Sequence, residues 1–197
     1  MLDRESLQEQ IAEYAAQASE PQRLIARRFL ELLASPEDPF SRTSWAGHIT
    51  ASALVTDEDR EHILLVKHRK LGIWLQPGGH VEPEDDSILA AALREVEEET
   101  GIIARPIMGG RIFDLDIHEI PARPDAPAHL HYDVRFIVET WNAARPRVSP
   151  ESTEVRWFSP DEVTRFRMDP SQQRLAMGLR ILSWNEAQPI PRLRWAS

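Results

Sequence analysis

A glycine turn followed by a short glutamate-rich helix constrains this chain more than any other feature. The turn is Pro77-Gly78-Gly79-His80, and Asp86 or Ser87 can cap the helix that follows. Gly101 stands where a helix commonly ends in the left-handed conformation. One side of the helix carries an apolar stripe that can pack on a core, formed by Leu89, Ala92, Leu93 and Val96. The pattern predicts a rigidly held helix beside a backbone that a ligand can approach closely.

The other side of this helix carries three carboxylates. Glu95, Glu98 and Glu99 stand at i, i+3 and i+4 and therefore share one face. Like charges at this spacing destabilise a helix by about 0.2–0.5 kcal/mol per pair, and Arg94, four residues before Glu98, offers local relief. We therefore expect a cation at this cluster. A solvated Glu-rich surface is the alternative interpretation of the helix alone, but the upstream glycine turn argues against it.

The available ligand types favour a hard cation. The chain contains no cysteine and no H-E-x-x-H or similar histidine pair, which argues against zinc. Carboxylate oxygens suit Mg²⁺ or Mn²⁺, which keep several waters and bridge to substrate phosphates. The expected cofactor is Mg²⁺ or Mn²⁺.

The segment from Gly79 to Ile102 resembles the Nudix box, G-x5-E-x7-R-E-U-x-E-E-x-G-U, where U is apolar. The second half of the box is matched in full, by Arg94, Glu95, Val96, Glu98, Glu99, Gly101 and Ile102. The first half differs, because one residue is inserted and an aspartate replaces the first glutamate. Counting from Gly79 this aspartate is Asp85, and counting back from Arg94 it is Asp86.

The resemblance implies an α/β fold, an α/β/α sandwich around a mixed β-sheet, with an N-terminal helical extension. We expect a helical hairpin and linker over 1–44, the Nudix hydrolase domain over 45–185 and an extended tail over 186–197. A chain of 197 residues with 42% apolar content can bury one sizeable core.

Hydrophobic periodicity gives a coarse secondary structure. Helical spacing predicts helices over 4–17 and 21–34, and Asp169-Pro170 predicts a final helix that runs to about Trp184. Strand patterns occur in six segments, at 48–56, 62–66, 73–75, 107–117, 130–141 and 154–158.

The resemblance also implies the reaction, hydrolysis of the phosphoanhydride bond of a nucleoside diphosphate linked to another group. The family's metal ligands carry over to Glu95, Glu98 and Glu99, with the backbone carbonyl of Gly79. Glu95 is either a ligand or helps to deprotonate the nucleophile, and Arg94 is expected to orient the carboxylates.

The general base has three candidates. Glu95 lies within the box, whereas Glu151 and Glu154 lie in a later loop, the place from which some family members supply the base. A solvated loop glutamate is the alternative interpretation of Glu151 and of Glu154.

Four residues are candidate substrate contacts, and each has an ordinary structural alternative. Arg69 belongs to a basic turn that can reach phosphates or simply be surface. Trp74 can stack on a base or fill the core. His131 lies on the polar side of an alternating strand, which is either a cleft wall or a half-exposed face. Glu154 is the fourth candidate.

Other function classes fit the sequence less well. An isopentenyl diphosphate isomerase of this architecture needs a cysteine, which the chain lacks, and a non-catalytic nucleotide-binding or regulatory module would typically lose box glutamates. A net charge of −9 argues against long nucleic acid. No apolar run approaches the roughly 20 residues that span a bilayer, and the N-terminus does not resemble a signal sequence. We expect a cytoplasmic enzyme acting on a small nucleoside diphosphate derivative, with the N-terminal hairpin as a possible homodimer contact.

Overall fold

The computed structural model of the protein describes residues 2–141, 144–163 and Arg174. The helices are α1 (Arg4–Gln17), α2 (Glu20–Leu33), α3 (Ile88–Thr100) and α4 (Pro160–Val163). The strands are β1 (His48–Asp57), β2 (Ile63–His68), β3 (Trp74–Leu75), β4 (Gly78–His80), β5 (Arg105–Pro106), β6 (Asp114–Ile120), β7 (His129–Thr140) and β8 (Ser152–Phe158).

The sheet is mixed and centres on β1. This strand runs parallel to β7, with His48 opposite His131 and Asp57 opposite Thr140. It is antiparallel to β2 and β4. The outer strands extend the sheet by antiparallel pairing, β8 with β2 and β6 with β7. The predicted α/β class with a mixed sheet is confirmed.

Successive side chains of β1 and β7 point to opposite sides of the sheet. Ala51 and Val134 mark the side that shares a core with α1, α2 and α3, which we call the helical face. Thr50 and Asp133 mark the other side, which we call the polar face. Further along the strands the polar face becomes apolar, and there Val163 of α4 packs in one cluster with Leu54, Ile137 and Phe158. Helices therefore lie on both faces of the sheet.

The N-terminal hairpin shares the core of the sheet. Asp3 caps α1 by accepting hydrogen bonds from the backbone N–H groups of Glu5 and Ser6. The Phe29 ring meets the Tyr132 ring edge-on at 5.2 Å between centroids. The buried side chains of the hairpin join the sheet in one apolar cluster: Leu7, Ile11, Ala26, Phe29 and Leu33. Leu24 of the same hairpin is instead exposed.

The prediction of a continuous strand over 107–117 is wrong for its first half. Met108–Gly110 forms a 3₁₀ turn, in which Met108, Gly109 and Gly110 have φ values of 54°, 69° and 71°. Strands do not accommodate positive φ, and two adjacent glycines make the left-handed turn accessible. The strand β6 therefore begins only at Asp114.

The remaining strand predictions agree with the structure to within a few residues. The predicted final helix over 169–184, apart from Arg174, and the tail over 186–197 lie outside the described residues. Within the described part of the chain, no helix combines the length and the apolar character needed to cross a membrane.

Candidate active site

Helix α3 has the start and the end that its sequence predicts. Ser87, rather than Asp86, caps the helix, because its Oγ accepts a hydrogen bond of 3.0 Å from the N–H of Ala90. Gly101 ends the helix with φ 68°. The buried side is formed by Ile88, Ala91, Ala92, Val96 and Thr100. Of the predicted stripe, Ala92 and Val96 are buried, whereas Leu89 and Leu93 are half-buried at its margin. Packing of this side on the core fixes the direction in which the glutamates point.

The glycine turn lies directly against the carboxylate face of α3. Gly79 belongs to β4 and pairs with Ala51 of β1. A Cβ atom added at Gly79 would lie 2.7 Å from the carboxyl carbon of Glu95. A side chain at this position would displace the Glu95 carboxylate, so Gly79 leaves room for the carboxylate where it stands.

Arg94 is the centre of a hydrogen-bond network within the box. Its Nε and Nη2 donate to the two oxygens of Asp85, each at 3.0 Å. Its Nη1 donates to Glu95 Oε1 at 2.9 Å and to Glu98 Oε2 at 3.1 Å. Its Nη2 also donates to the backbone carbonyl of His80 at 2.9 Å. One guanidinium thus connects the loop, β4 and α3.

The structure distinguishes the two aspartates that the sequence leaves open. Asp85 is buried and also accepts a hydrogen bond of 2.8 Å from the N–H of Glu82, whereas Asp86 is exposed. Asp85 therefore takes the position of the family's first glutamate. The hydrogen bond to Asp85 is the main reason why the pKa of Arg94 lies above its ordinary value.

The three glutamates have different environments. Burial raises the pKa of Glu95, and the hydrogen bond from Arg94 opposes this shift. Burial raises the pKa of Glu99 to about 8, and the charges of Glu95 and Glu151 add to the shift. The side chain of Glu98 is 58% exposed. The cluster therefore combines two carboxylates that are largely withdrawn from solvent, Glu95 and Glu99, with the exposed carboxylate of Glu98.

The environment of Glu99 Oε2 indicates whether this cluster can bind a metal ion. This oxygen is buried and has no hydrogen-bond partner among the residues that the structure describes. A buried carboxylate oxygen without a partner is unfavourable unless a cation compensates it. The carboxylate oxygens of Glu95, Glu98 and Glu99 and the carbonyl of Gly79 are of the type that a hard divalent cation prefers.

The loop before β8 approaches the cluster through Glu151. The charge of Glu151 raises the pKa of both Glu95 and Glu99. Arg69, predicted to contact substrate, donates hydrogen bonds to the backbone carbonyls of Pro150 at 2.8 Å and Ser152 at 2.6 Å. Arg69 therefore holds the loop that carries Glu151, and its role as a substrate contact stays a prediction.

The other predicted substrate residues are not gathered at the carboxylates. Glu154 forms an ion pair with Lys67 at 2.6 Å. Trp74 meets Phe158 edge-on at 4.8 Å and packs against the apolar cluster of the polar face. His131 lies on the polar face, on the other side of the sheet from α3. Contacts of these residues with substrate stay predictions.

A buried ionic network on the polar face was not found from the sequence. Arg135 is 2% exposed, and it donates to Asp133 at 2.8 Å, Asp114 at 3.2 Å and Asp116 at 3.1 Å. Arg174 also donates to Asp116 at 3.0 Å. Burial lowers the pKa of Arg135, but the charges of Asp133 and Asp116 raise it above its ordinary value. The sequence signal was the polar alternation along β6 and β7.

A cavity of about 660 Å³ lies between α1 and the segment around Met108. Tyr14, Leu89 and Phe113 are among its lining residues, whereas the box glutamates are not. This cavity is therefore separate from the carboxylate cluster.

Comparison with known proteins agrees with this geometry. The NUDIX domain family matches residues 47–178. The probable DHNTP pyrophosphohydrolase of Lactococcus lactis subsp. cremoris (strain MG1363) is 36% identical over 93 residues, 46% of this chain and 53% of the relative. The phosphatase NudJ of Escherichia coli (strain K12) is 37% identical over 116 residues, 59% of this chain and 71% of the relative. The chain thus spans about half the length of the first relative.

A solved structure shows the same fold. The C. elegans Ap4A hydrolase, in a binary complex, superimposes with a TM-score of 0.54 at 16% sequence identity, over 68% of this chain and 96% of that protein. The family match extends over more than half of the chain and includes the box that surrounds Arg94. The chain belongs to the Nudix hydrolase family.

Proposed function

We propose that the protein is a metal-dependent hydrolase that cleaves the phosphoanhydride bond of a nucleoside diphosphate linked to another moiety. The observation that carries this proposal is the buried Glu99 Oε2, which has no partner among the described residues and lies in a cluster of carboxylates. The names of the two relatives, a pyrophosphohydrolase and a phosphatase, support phosphate chemistry.

Glu95, Glu98 and Glu99 would hold the Mg²⁺ or Mn²⁺ ion, together with the carbonyl of Gly79. When bound, such an ion screens the negative oxygens of a diphosphate, stabilises charge on the leaving oxygen and acidifies water. The chain's own contribution is to fix these oxygens before the ion arrives. The close contact of Gly79 with Glu95 and the packing of α3 both serve that purpose.

Arg94 and Asp85 are positioning residues in this proposal. Arg94 contacts Glu95 and Glu98 and so sets the direction of two ligand carboxylates. The two hydrogen bonds that Arg94 donates to Asp85 fix the guanidinium plane. Groups of this kind typically contribute about 10–100-fold to metal affinity or activity.

Glu151 is the general base that the geometry favours. Its charge acts on both Glu95 and Glu99, which places it in the neighbourhood of the cluster. Glu154 is already paired with Lys67, and Glu95 already accepts from Arg94. Glu151 would therefore receive the proton of the attacking water.

The substrate side of the proposal is less specific. The nucleoside diphosphate derivative is selected by residues outside the box, for which Arg69, Trp74, His131 and Glu154 stay the candidates. A cytoplasmic location and a homodimer formed through the N-terminal hairpin also stay predictions. A binding module without catalysis has no observation in its favour, since every glutamate of the second half of the box is present.

A phosphate-release screen tests the proposal. Nucleoside triphosphates, ADP-ribose and dinucleoside polyphosphates are incubated with the full chain and Mg²⁺ or Mn²⁺, with Glu98→Gln beside the parent. We expect metal-dependent turnover that Glu98→Gln lowers by more than about 100-fold, since even residues behind metal ligands contribute 10–100-fold. Glu84→Gln, which changes an exposed glutamate of the preceding loop, is the matched control. Equal turnover in Glu98→Gln and the control would refute the assignment.

A further inference from the structure

A cluster of five histidines lies on the polar face, away from the box glutamates. The chain contains seven histidines, and five of them form ring contacts with centroids between 4.8 and 5.5 Å apart. They are His48, His80, His118, His129 and His131. So many imidazoles in one place are not explained by the proposed hydrolysis.

Strand pairing brings these histidines together. His48 on β1 stands opposite His131 on β7, and His131 stands opposite His118 on β6. His80 on β4 stands opposite Thr50, two residues from His48 on the same side of β1. Four separate strands therefore each contribute a histidine to this cluster.

The ring nitrogens of three of these histidines converge. One nitrogen each from His48, His80 and His131 lies within 4.8 Å of the others. For comparison, nitrogens bound to one tetrahedral zinc ion at about 2.0–2.1 Å stand roughly 3.3 Å apart. Small rotations of the side chains are enough to close this difference.

Two of the nitrogens lack partners. His48 Nε2 and His131 Nε2 are buried and have no hydrogen-bond partner among the described residues, and His48 is 1% exposed. A buried polar atom without a partner typically costs about 1–3 kcal/mol. Contacts between the rings do not compensate this unfavourable free energy. A metal ion would do so by binding the lone pairs of both Nε2 atoms.

The other ring nitrogen of His48 is oriented in the manner of a metal ligand. His48 Nδ1 faces the backbone carbonyl of Ser44 at 3.4 Å, which leaves the lone pair on Nε2. Neutral imidazole is the form that binds metals. His80 and His131 are only partly buried, so an ion can enter.

We infer that His48, His80 and His131 form a second metal site, which binds a zinc-class transition-metal ion and ties β1, β4 and β7 together. Three neutral nitrogen ligands suit Zn²⁺ and similar ions better than Mg²⁺. The site is distinct from the carboxylate cluster, since Gly79 faces Glu95 on the helical face while His80 faces the polar face. The inference does not depend on the proposed hydrolase activity.

Calorimetric titration of the tag-free full chain with Zn²⁺ tests the inference. The Glu99→Gln variant should retain one Zn²⁺ per chain with the affinity of the parent. His48→Gln and His131→Gln should each weaken binding by more than about 100-fold, because removal of a direct ligand exceeds the 10–100-fold effect of groups behind it. His62→Gln is the matched control, since His62 pairs with Asp57 outside the cluster.

Two outcomes would overturn the site. The first is unchanged Zn²⁺ affinity in both cluster variants, and the second is loss of binding in Glu99→Gln alone, which would assign the ion to the carboxylates. Circular dichroism of each metal-free variant checks that it is folded.

A measurement on the unmodified protein removes any dependence on the variants. Histidine side chains labelled with ¹⁵N should show shifted ring-nitrogen resonances for three residues when one equivalent of Zn²⁺ is added. Unchanged resonances at one equivalent would also reject the inference.

Discussion

Two acidic clusters lie on opposite faces of the same sheet, and they differ in what balances their charge. On the polar face, Asp114, Asp116 and Asp133 all bind Arg135. On the helical face, Arg94 reaches Glu95 and Glu98, while Glu99 Oε2 has no partner in the described part of the chain. The first cluster is complete within the protein. The second leaves one buried oxygen without a partner, and on this difference we base the proposal of a metal site there.

The largest effect is expected when the arginine at the centre of the complete cluster, Arg135, is replaced. Arg135→Met should lower the free energy of unfolding by about 3–5 kcal/mol, because three buried carboxylates lose their shared partner. Urea denaturation followed by circular dichroism measures the change. Arg27→Met, which replaces an exposed arginine of α2, should change stability by less than about 0.5 kcal/mol. Similar values for the two variants would show that the network does not stabilise the fold.

The incomplete cluster should respond to added metal. At 100 times its dissociation constant, Mg²⁺ should raise the free energy of unfolding of the parent by about 2.7 kcal/mol through binding to the folded state. Glu99→Gln should abolish most of this stabilisation, because it removes a ligand charge. Thermal unfolding with and without EDTA measures both. Equal stabilisation in parent and variant would exclude Glu99 as a ligand.

The complete cluster should also respond to acid. Burial raises the pKa of Asp116, but the hydrogen bond with His118 and the charge of Arg135 bring it down to about 2. A depressed pKa in the folded state contributes stability above the unfolded value of about 3.8 that is lost as the pH falls towards 2. Asp116→Asn should therefore lower the free energy of unfolding by about 2 kcal/mol near pH 6.

The difference between Asp116→Asn and the parent should shrink as the pH falls from about 4 to about 2. Urea denaturation at a series of pH values measures it. Asp125→Asn, at an exposed loop position, serves as the control. A difference that stays constant with pH would show that the charge of Asp116 is not the cause.

The smallest expected effect concerns the positioning of Arg94. Asp85→Asn should lower kcat by about tenfold, since the guanidinium loses the charge that holds it behind the ligands. Asp86→Asn is the matched control, because Asp86 is adjacent but exposed. Steady-state kinetics on a substrate found in the screen separates kcat from KM. An equal loss in both variants would mean that Asp85 has no special role.

The features that the sequence predicts well are contiguous in the chain. The start and end of α3, and the shared face of Glu95, Glu98 and Glu99, follow from the local sequence. The predicted stripe is right for Ala92 and Val96 only. The inserted residue made Asp85 and Asp86 equivalent by counting, and only the hydrogen bonds of Arg94 distinguish them.

The features that the sequence does not predict depend on strand pairing. The Asp114–Arg135 contact joins residues 21 apart in the chain, and His48 meets His131 through the register of a parallel pair. Register is set by the whole sheet and is not visible in a local pattern. The absence of a short histidine motif therefore argued against zinc in the sequence, although the fold assembles three histidines from distant segments.

The three-residue strand β4 limits how this scaffold can be altered. Gly79 contacts the helix on one side, and His80 faces the histidines on the other while its carbonyl accepts from Arg94. An engineer who changes substrate preference here would leave residues 78–80 untouched. Diversity is better introduced in the exposed loop between β6 and β7, where insertions are tolerated without disturbing the strands.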